Sequence, residues 1–166
     1  MKTRLQKAKD IKCDGVDPDN VDGYFVEGGN NTDPDPSGFN LTTTTAEEYV
    51  EFLAFEARNR GLSIGLKNGL EFADKVRSIM NWQVNEECSE TLIDNDNPAL
   101  GSECSKLQGF ITDKKPVFHI EYPKGFPDTP VSPEDRKKRC FDPAAKGFST
   151  ILKDSLLGEP VDFCAP

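Results

Sequence analysis

A regular alternation of strand-like and helix-like segments is the feature that most restricts the fold of this chain. Residues 62–68 alternate apolar and polar side chains, with Leu62, Ile64 and Leu66 on one face, as a β-strand does. A segment with helical character follows over about 70–80. Strands that alternate with helices in this way predict a parallel α/β fold.

The same alternation extends along the rest of the chain. Thr45 and Glu48 have the spacing of a capping box, and the helix that they open is expected to end at Gly61. Ser132 followed by Pro133 predicts the start of a later helix with an acidic first turn. The remaining expected strands cover about 11–16, 82–88, 116–122 and 148–153.

Length and composition suit one globular domain. The chain has 166 residues, of which 36% are apolar and 11 are Phe, enough for a sizeable core. Its formal net charge of −9 argues against nucleic acid as a partner, because phosphate binding requires clustered Lys and Arg. The sequence has no apolar run long enough to cross a bilayer, so we expect no membrane span.

Polar residues collect near the carboxyl ends of the predicted strands. The first cluster is the run 13–24, which crowds four aspartates at the end of a strand. Ligand sites of parallel α/β folds lie at this end of the strands, so the arrangement predicts an active site. Polar residues on an inward face also predict the interior of a β/α barrel near its mouth. The residues concerned are Asp17, Asp19, Lys67, Asn68, Asn85, Glu86, Glu121 and Lys153.

The length of the chain falls short of a whole barrel. A closed eight-stranded β/α barrel takes about 250 residues, whereas only five strands are expected here. The first strand begins close to Met1, so the missing units would precede it and residues 5–11 would end the preceding helix. We therefore expect a truncated barrel.

Four ordered segments carry a resemblance to a known family. They are CDGVDPDNVDGY at 13–24, RGLSIGLKN at 60–68, VNEEC at 84–88 and VFHIEY at 117–122. Together they resemble glycoside hydrolase family 114, the endo-α-1,4-polygalactosaminidase type of (β/α)8 TIM barrel. The resemblance implies a single partial domain over residues 1–166 that contains barrel strands 4 to 8. It also implies hydrolysis of α-1,4-galactosaminidic or related α-galactosidic bonds without a metal or cofactor.

The resemblance further implies an aspartate at the end of barrel strand four and a glutamate at the end of strand six. These fall on Asp19 and Glu86. Glycosidase chemistry asks for such a pair, because most of these enzymes place two carboxylates on either side of the scissile bond. We predict Asp19 as nucleophile and Glu86 as acid/base in a retaining mechanism. The carboxyl groups should then lie about 5 to 5.5 Å apart, whereas inversion needs roughly 6.5 to 9.5 Å.

Each of these assignments has an alternative. Asp17 or Asp22 could be the working aspartate, while the other aspartates of the run cap turns near Pro and Gly. Strict alternation from Val84 would point Glu87 inward in place of Glu86. The chain could also be an inactive or carbohydrate-binding remnant, because a barrel without three strands lacks part of its site wall.

An oligo- or polysaccharide with α-linked galactosamine or galactose is the expected partner. Glu121 could receive its ammonium or hydroxyl groups, and Lys67 could keep a neighbouring carboxylate charged; an internal ion pair would explain both residues equally well. His119 is the single histidine, so no zinc site is expected. The predicted substrate contacts are Asp17, Asn20, Asp22, Lys67, Asn68, Asn85, Glu121 and Tyr122.

The cysteines bear on the cellular compartment. The N-terminus has no apolar signal-peptide core, yet five cysteines and two N-glycosylation sequons, at 30–32 and 40–42, suit a secreted protein. We expect the parent protein to be extracellular, with its signal peptide upstream of this chain. The expected disulfides are Cys88–Cys104 and Cys140–Cys164, with Cys13 left over, although spacing alone does not fix connectivity.

Overall fold

The computed structural model describes residues 1–24, 39, 41–89 and 102–164. The chain divides into two compact units, Met1–Trp82 and Gln83–Pro166. The prediction of a single domain stays a prediction. The predicted sequon at 30–32 and the asparagine of the sequon at 40–42 lie outside the described residues.

The first unit alternates helices and parallel strands. Strand β1 pairs in parallel with β2, with Gly15 opposite Ser63 and Val16 opposite Ile64. The elements are α1 (Lys2–Asp10), β1 (Gly15–Val16), α2 (Thr43–Arg58), β2 (Ser63–Lys67), α3 (Ala73–Val76) and a 3-10 turn (Arg77–Ile79).

Strand β1 is shorter than predicted because helix α1 closes where the strand was expected to begin. The amide of Cys13 donates to the carbonyl of Ala8 at 3.0 Å, and Lys12 takes a left-handed conformation at φ 64°. This closing turn keeps residues 11–14 out of the strand that was predicted over 11–16. The helix expected over 70–80 is also shorter, since Ala73–Val76 alone is α-helical.

Helix α2 begins one turn earlier than the capping box at Thr45 and Glu48 predicted. Thr42 is the N-cap: its hydroxyl accepts from the Thr45 amide at 3.2 Å, and the Thr45 hydroxyl accepts from the Thr42 amide at 2.9 Å. Thr45 therefore occupies the third helical position and supplies the reciprocal bond that a Glu gives in the usual box. The prediction of Thr45 as N-cap was wrong.

The core of the first unit forms where α2 packs on β2. Leu62, Ile64 and Leu66 are at most 4% exposed, which confirms their predicted common face. The opposite face of the strand needs glycine, because a Cβ on Gly65 would lie 2.1 Å from the indole nitrogen of Trp82. The Trp82 ring thus packs directly on the strand backbone.

The second unit continues the strand and helix order. Strand β3 pairs in parallel with β4, β4 pairs in parallel with β5, and β5 pairs antiparallel with β6. The elements are β3 (Trp82–Glu86, of which Trp82 belongs to the first unit), a 3-10 turn (Glu103–Leu107), α4 (Gln108–Thr112), β4 (Val117–Glu121), α5 (Pro133–Cys140), a 3-10 turn (Pro143–Ala145), β5 (Ser149–Leu152) and β6 (Asp162–Phe163). The α/β prediction is confirmed, whereas β6 was not predicted.

A helix cap and both disulfides of the second unit form as the sequence predicted. Ser132 caps α5, its hydroxyl accepting from the Asp135 amide at 3.1 Å, as the sequence predicted. Both predicted disulfides, Cys88–Cys104 and Cys140–Cys164, are present, and Cys13 is free and exposed. Among the described residues, no helix has the length and apolar character that crossing a bilayer requires.

Candidate active site

Asp19 follows strand β1 in an exposed loop and pairs with a lysine from the next strand. Its Oδ1 lies 3.4 Å from Nζ of Lys67, the last residue of β2. The Asp19 side chain is 66% exposed, whereas that of Lys67 is 12% exposed. The structure therefore presents the Asp19 carboxylate to solvent beside a cation that is held close to the strand.

The other predicted site residues of the first unit lie close to Asp19 or Lys67 in the sequence. Asp17 is exposed and Asp22 is half-buried. Asn20 and Asn68 both take left-handed conformations, at φ 54° and 49°, which Asn tolerates better than most residues. Asn20 also donates to the other oxygen of the Asp19 carboxylate, at a long 3.4 Å.

Tyr24 and Glu71 form a contact that the sequence did not predict. The Tyr24 hydroxyl donates to the Glu71 carboxylate at 2.7 Å, and the Tyr24 ring packs edge-on against Phe72. Burial, together with the hydrogen bond and charge of Glu71 and the charge of Asp22, raises the pKa of Tyr24 far above its ordinary value. Tyr24 is thus held as a protonated donor. Its place at the end of the aspartate-rich run was the available signal.

Glu86, the last residue of β3, receives a hydrogen bond from the end of β4. The Tyr122 hydroxyl donates to Oε1 of Glu86 at 2.5 Å, and both side chains are half-buried. Tyr122 was predicted as a substrate contact, and the structure gives it a second task, orienting this carboxylate. Tyrosine donors that are aligned on a carboxylate form short, strong bonds.

The strand geometry also bears on Glu87, the alternative to Glu86. The buried face of β3 carries Gln83 and Asn85, both fully buried, so unbroken alternation would place Glu87 next on that face. The strand ends at Glu86, however, and Glu87 takes a left-handed conformation at φ 63°. The alternation of faces along β3 therefore ends at Glu86 and does not define the direction of the Glu87 side chain. The choice of Glu86 stays a prediction.

Glu121 lies at the end of β4 in a buried polar cluster. Its Oε1 accepts from the Ser89 amide at 2.9 Å and lies 2.7 Å from Nε2 of His119. Its Oε2 accepts from the Arg139 guanidinium at 2.7 Å. Glu121 and His119 are 0% exposed, and Arg139 is 4% exposed. Of the two predicted roles for Glu121, these are the contacts of the internal ion pair.

Arg139 connects this cluster to helix α5. Its Nε donates to Asp135 at 3.0 Å on the same helix. Burial by itself would lower the pKa of Arg139, but the charges of Glu121 and Asp135 and their hydrogen bonds outweigh that effect and raise it. The guanidinium is therefore a permanent cation beneath the strand ends.

Three groups with metal-binding atoms also lie in this cluster. The Sγ atoms of Cys88 and Cys104 and a ring nitrogen of His119 lie within 4.8 Å of one another. The two sulfur atoms are joined in a disulfide, however, and therefore offer no thiolate to a zinc ion. We assign this trio to the buried packing of the second unit.

Comparison with known proteins decides the family. Residues 1–166 match the glycoside-hydrolase family GH114. The chain belongs to GH114. The resemblance to this family that the sequence showed is thereby confirmed.

A solved structure of similar sequence supports this assignment. The GH114 chain is 39% identical to Ega3 of Aspergillus fumigatus, whose crystal structure was determined in complex with galactosamine, with a TM-score of 0.78. The alignment covers 99% of this chain and 59% of the Ega3 chain. No curated protein matches the chain at a significant level.

A more distant structure agrees in fold alone. The glycoside hydrolase domain of PelA from Pseudomonas aeruginosa is 13% identical to this GH114 chain, with a TM-score of 0.53. The alignment covers 96% of this chain and 60% of the PelA domain. At this identity, the likeness concerns the backbone and not the residues of the site.

Proposed function

We propose that this chain is part of a secreted glycoside hydrolase that cleaves α-1,4-galactosaminidic or related α-galactosidic bonds. The observation that carries the proposal is the match of nearly the whole chain, at 39% identity, to Ega3 in complex with galactosamine. The chain spans 59% of the Ega3 chain, so the activity is proposed for the parent protein. The chain's own contribution is the two predicted carboxylates and the residues around them.

In the proposed reaction, Asp19 attacks the anomeric carbon while Glu86 gives its proton to the leaving oxygen. The glycosyl–Asp19 ester that forms is then hydrolysed by a water molecule that Glu86 deprotonates, so that Glu86 regains its proton and Asp19 its charge. Lys67 supports the first step because its charge lies beside the Asp19 carboxylate. Tyr122 supports both steps because it holds Oε1 of Glu86 in one orientation.

The loop residues of the first unit are proposed to contact the sugar. Asp17, Asn20 and Asp22 are exposed or half-buried and can accept hydrogen bonds from an ammonium or hydroxyl group. Asn68 follows β2 directly and can serve the same purpose. Asn85 and Glu121 were predicted in this group as well, but both are 0% exposed and offer no surface to a sugar in this structure.

The catalytic assignment is tested in the full-length parent protein with Asp19→Asn and Glu86→Gln. Release of reducing ends from polygalactosamine is expected to fall roughly a hundredfold or more in each variant, because each removes one of the two working carboxylates. Asp14→Asn is the matched control, and Glu87→Gln, at the alternative to Glu86, should also stay close to the unmutated rate if the assignment is right. A larger loss in Asp17→Asn, Asp22→Asn or Glu87→Gln would move the assignment to that residue.

The runner-up function is that of an inactive or sugar-binding remnant, which the 59% coverage of the Ega3 chain favours for the isolated polypeptide. The 166-residue chain and the full-length parent are incubated side by side with polygalactosamine and with an α-galactoside. Turnover by the parent alone would assign the remnant role to the isolated chain. Absence of turnover in both would overturn the proposed hydrolase.

Secretion of the parent protein is part of the same proposal. Two disulfides support it, because such bonds persist mainly in oxidising compartments. The parent is expected in the culture medium, with a mass that decreases on removal of N-glycans. Retention inside the cell, with all five cysteines reduced, would contradict this part of the proposal.

A further inference from the structure

We propose that Glu121 is a positioning residue that sets the orientation of Glu86 through the main chain of residues 86–89. The inference rests on the proposed function, because it assumes that Glu86 is the acid/base of the reaction. It assigns to Glu121 a role other than contact with the substrate.

Three successive amides after Glu86 are each held from the buried side. The amide of Glu87 donates to the carbonyl of Ile120 at 2.9 Å, and that of Cys88 donates to the side chain of Asn85 at 3.2 Å. The amide of Ser89 donates to Glu121 at 2.9 Å. The turn that begins at Glu86 is therefore fixed at every residue, and Glu121 provides the one charged acceptor of the three.

Glu121 is itself held in place by two further groups. Nε2 of His119 lies 2.7 Å from Oε1, within hydrogen-bonding distance. The Arg139 guanidinium holds Oε2 at 2.7 Å. A 0% exposed side chain with these partners cannot touch a sugar, and further chain packed on this unit could only bury it more.

The cost of burying these charges indicates that the cluster serves more than stability. Removing a carboxylate and a guanidinium from water carries a large desolvation penalty, and apolar residues of similar volume often stabilise a fold equally well. What apolar residues could not supply is an acceptor for the Ser89 amide. The Ser89 bond fixes the turn that follows Glu86 and so limits how the Glu86 carboxylate can move.

The variant Glu121→Gln separates these contacts. Its single amide oxygen can accept on one side only, and the charged guanidinium is the stronger donor, so we expect the oxygen to turn to Arg139 and the Ser89 bond to be lost. The matched control is Asp135→Asn, which disturbs Arg139 from its other side and leaves the Ser89 contact in place. Both variants are made in the full-length parent protein.

The first readout is independent of catalysis. Hydrogen exchange of the Ser89 amide is expected to become at least about tenfold faster in Glu121→Gln and to stay unchanged in Asp135→Asn. Amides of helix α2 serve as the internal reference, because their exchange should not change in either variant. Unchanged exchange at Ser89 both in Glu121→Gln and in Glu121→Ala, which offers the Ser89 amide no acceptor, would overturn the proposal.

The second readout tests whether the effect passes through Glu86. On polygalactosamine, kcat of Glu121→Gln is expected to fall about tenfold to a hundredfold with little change in KM, because a misplaced acid slows the chemical step. On an aryl α-galactosaminide with a good leaving group, which needs little protonation, the loss should shrink to about twofold. A role in stability alone would lower both rates equally, and that result would overturn the proposal.

A double-mutant cycle closes the test. Adding Glu121→Gln to Glu86→Gln should cost little further activity, because both act on the same proton transfer. Should Glu121→Gln fail to fold, Arg139→Lys, which keeps the charge but loses the planar fork, is expected to show the same two signatures at smaller size. If the parent hydrolyses no polymer the proposed function fails, whereas normal kcat with fast Ser89 exchange overturns this inference alone.

Discussion

Individual carboxylates in this protein are held in place by hydrogen-bond donors and cations around them. Glu86 accepts from a tyrosine of the neighbouring strand, and Glu56 lies between two cations, with Lys2 at 2.9 Å and Arg60 at 2.7 Å. None of these partners was predicted from the sequence. Each pair joins residues whose proximity depends on how the elements pack, apart from Arg60, which lies one helical turn after Glu56.

The Tyr122→Phe variant removes the donor to Glu86 and keeps the ring. In the full-length protein, kcat on polygalactosamine is expected to fall roughly tenfold with KM nearly unchanged, because Glu86 loses the bond that orients it. Tyr49→Phe, at an exposed position of helix α2, is the matched control. A Tyr122→Phe enzyme with the unmutated kcat would show that the hydrogen bond has no catalytic role.

Acid sensitivity is expected to depend in part on Glu56. Hydrogen bonds from Lys2 and then Arg60, outweighing burial, lower the pKa of Glu56 below its ordinary value of 4.5. A lowered folded-state pKa means that this stabilisation is complete above the unfolded pKa and is lost as the pH falls through the folded pKa. Between about pH 5 and pH 3, the melting temperature of Glu56→Gln should therefore decline less steeply than that of the unmutated protein.

Thermal melts at stepped pH values measure this difference. Glu51→Gln is the control, because Glu51 is an exposed carboxylate on the same helix without an ion pair in the described part of the chain. The control should follow the unmutated curve. Parallel curves for Glu56→Gln and the unmutated protein would show that the two ion pairs contribute no acid sensitivity.

Among the secondary-structure elements, helix α2 begins three residues before the start that its capping-box sequence predicted. The run of threonines from 42 to 45 offers several caps, and the Thr45 and Glu48 spacing fits the usual box. The structure starts the helix at Thr43 because Thr42 and Thr45 bond reciprocally. Only the packing of the first turn distinguishes two starts that lie one turn apart.

Capping substitutions distinguish the two starts. Thr42→Ala is expected to lower the free energy of unfolding by about 0.5–2 kcal/mol, because the Thr45 amide loses the Thr42 hydroxyl as its acceptor. Thr44→Ala, at an exposed helical position, should have little effect or a slight stabilising one, since Ala favours helices. Urea denaturation of the unmutated protein and of Thr42→Ala, Thr44→Ala and Glu48→Ala measures the difference. A large loss in Glu48→Ala together with none in Thr42→Ala would restore the predicted box.

For the whole molecule, the net charge of −9 is a property that sequence alone provides. An acidic protein attracts a polycationic amino-sugar polymer, and salt screens this attraction over about 10 Å at 0.1 M. The surface charge is expected to act on capture of the substrate and not on the chemical step.

Salt dependence of kcat/KM therefore tests the charge of the substrate. For the full-length enzyme on polygalactosamine, the value is expected to fall severalfold from low to high salt. On a neutral α-galactoside it should stay constant, which makes that substrate the control. Equal salt dependence on both substrates would count against a polycationic substrate.

The sequence by itself determined the features that depend on local chemistry. Period-two alternation predicted the faces of β2, and Ser132 with Pro133 predicted the start of α5. The two expected cysteine pairs also form, although the structure was needed to fix their connectivity. Four short segments were sufficient for the family. Each of these signals resides in residues that are close in the chain or in covalent chemistry.

Only the tertiary structure decided which polar groups meet. Glu121 accepts a hydrogen bond from Arg139, which lies eighteen residues later in the chain. It also accepts one from the amide of Ser89, which follows strand β3. The two-residue strand β6 forms because β5 offers it an edge. The physical reason is common to these cases: a buried donor must find an acceptor, but which acceptor it finds depends on the packing of distant elements, and no local pattern records that choice.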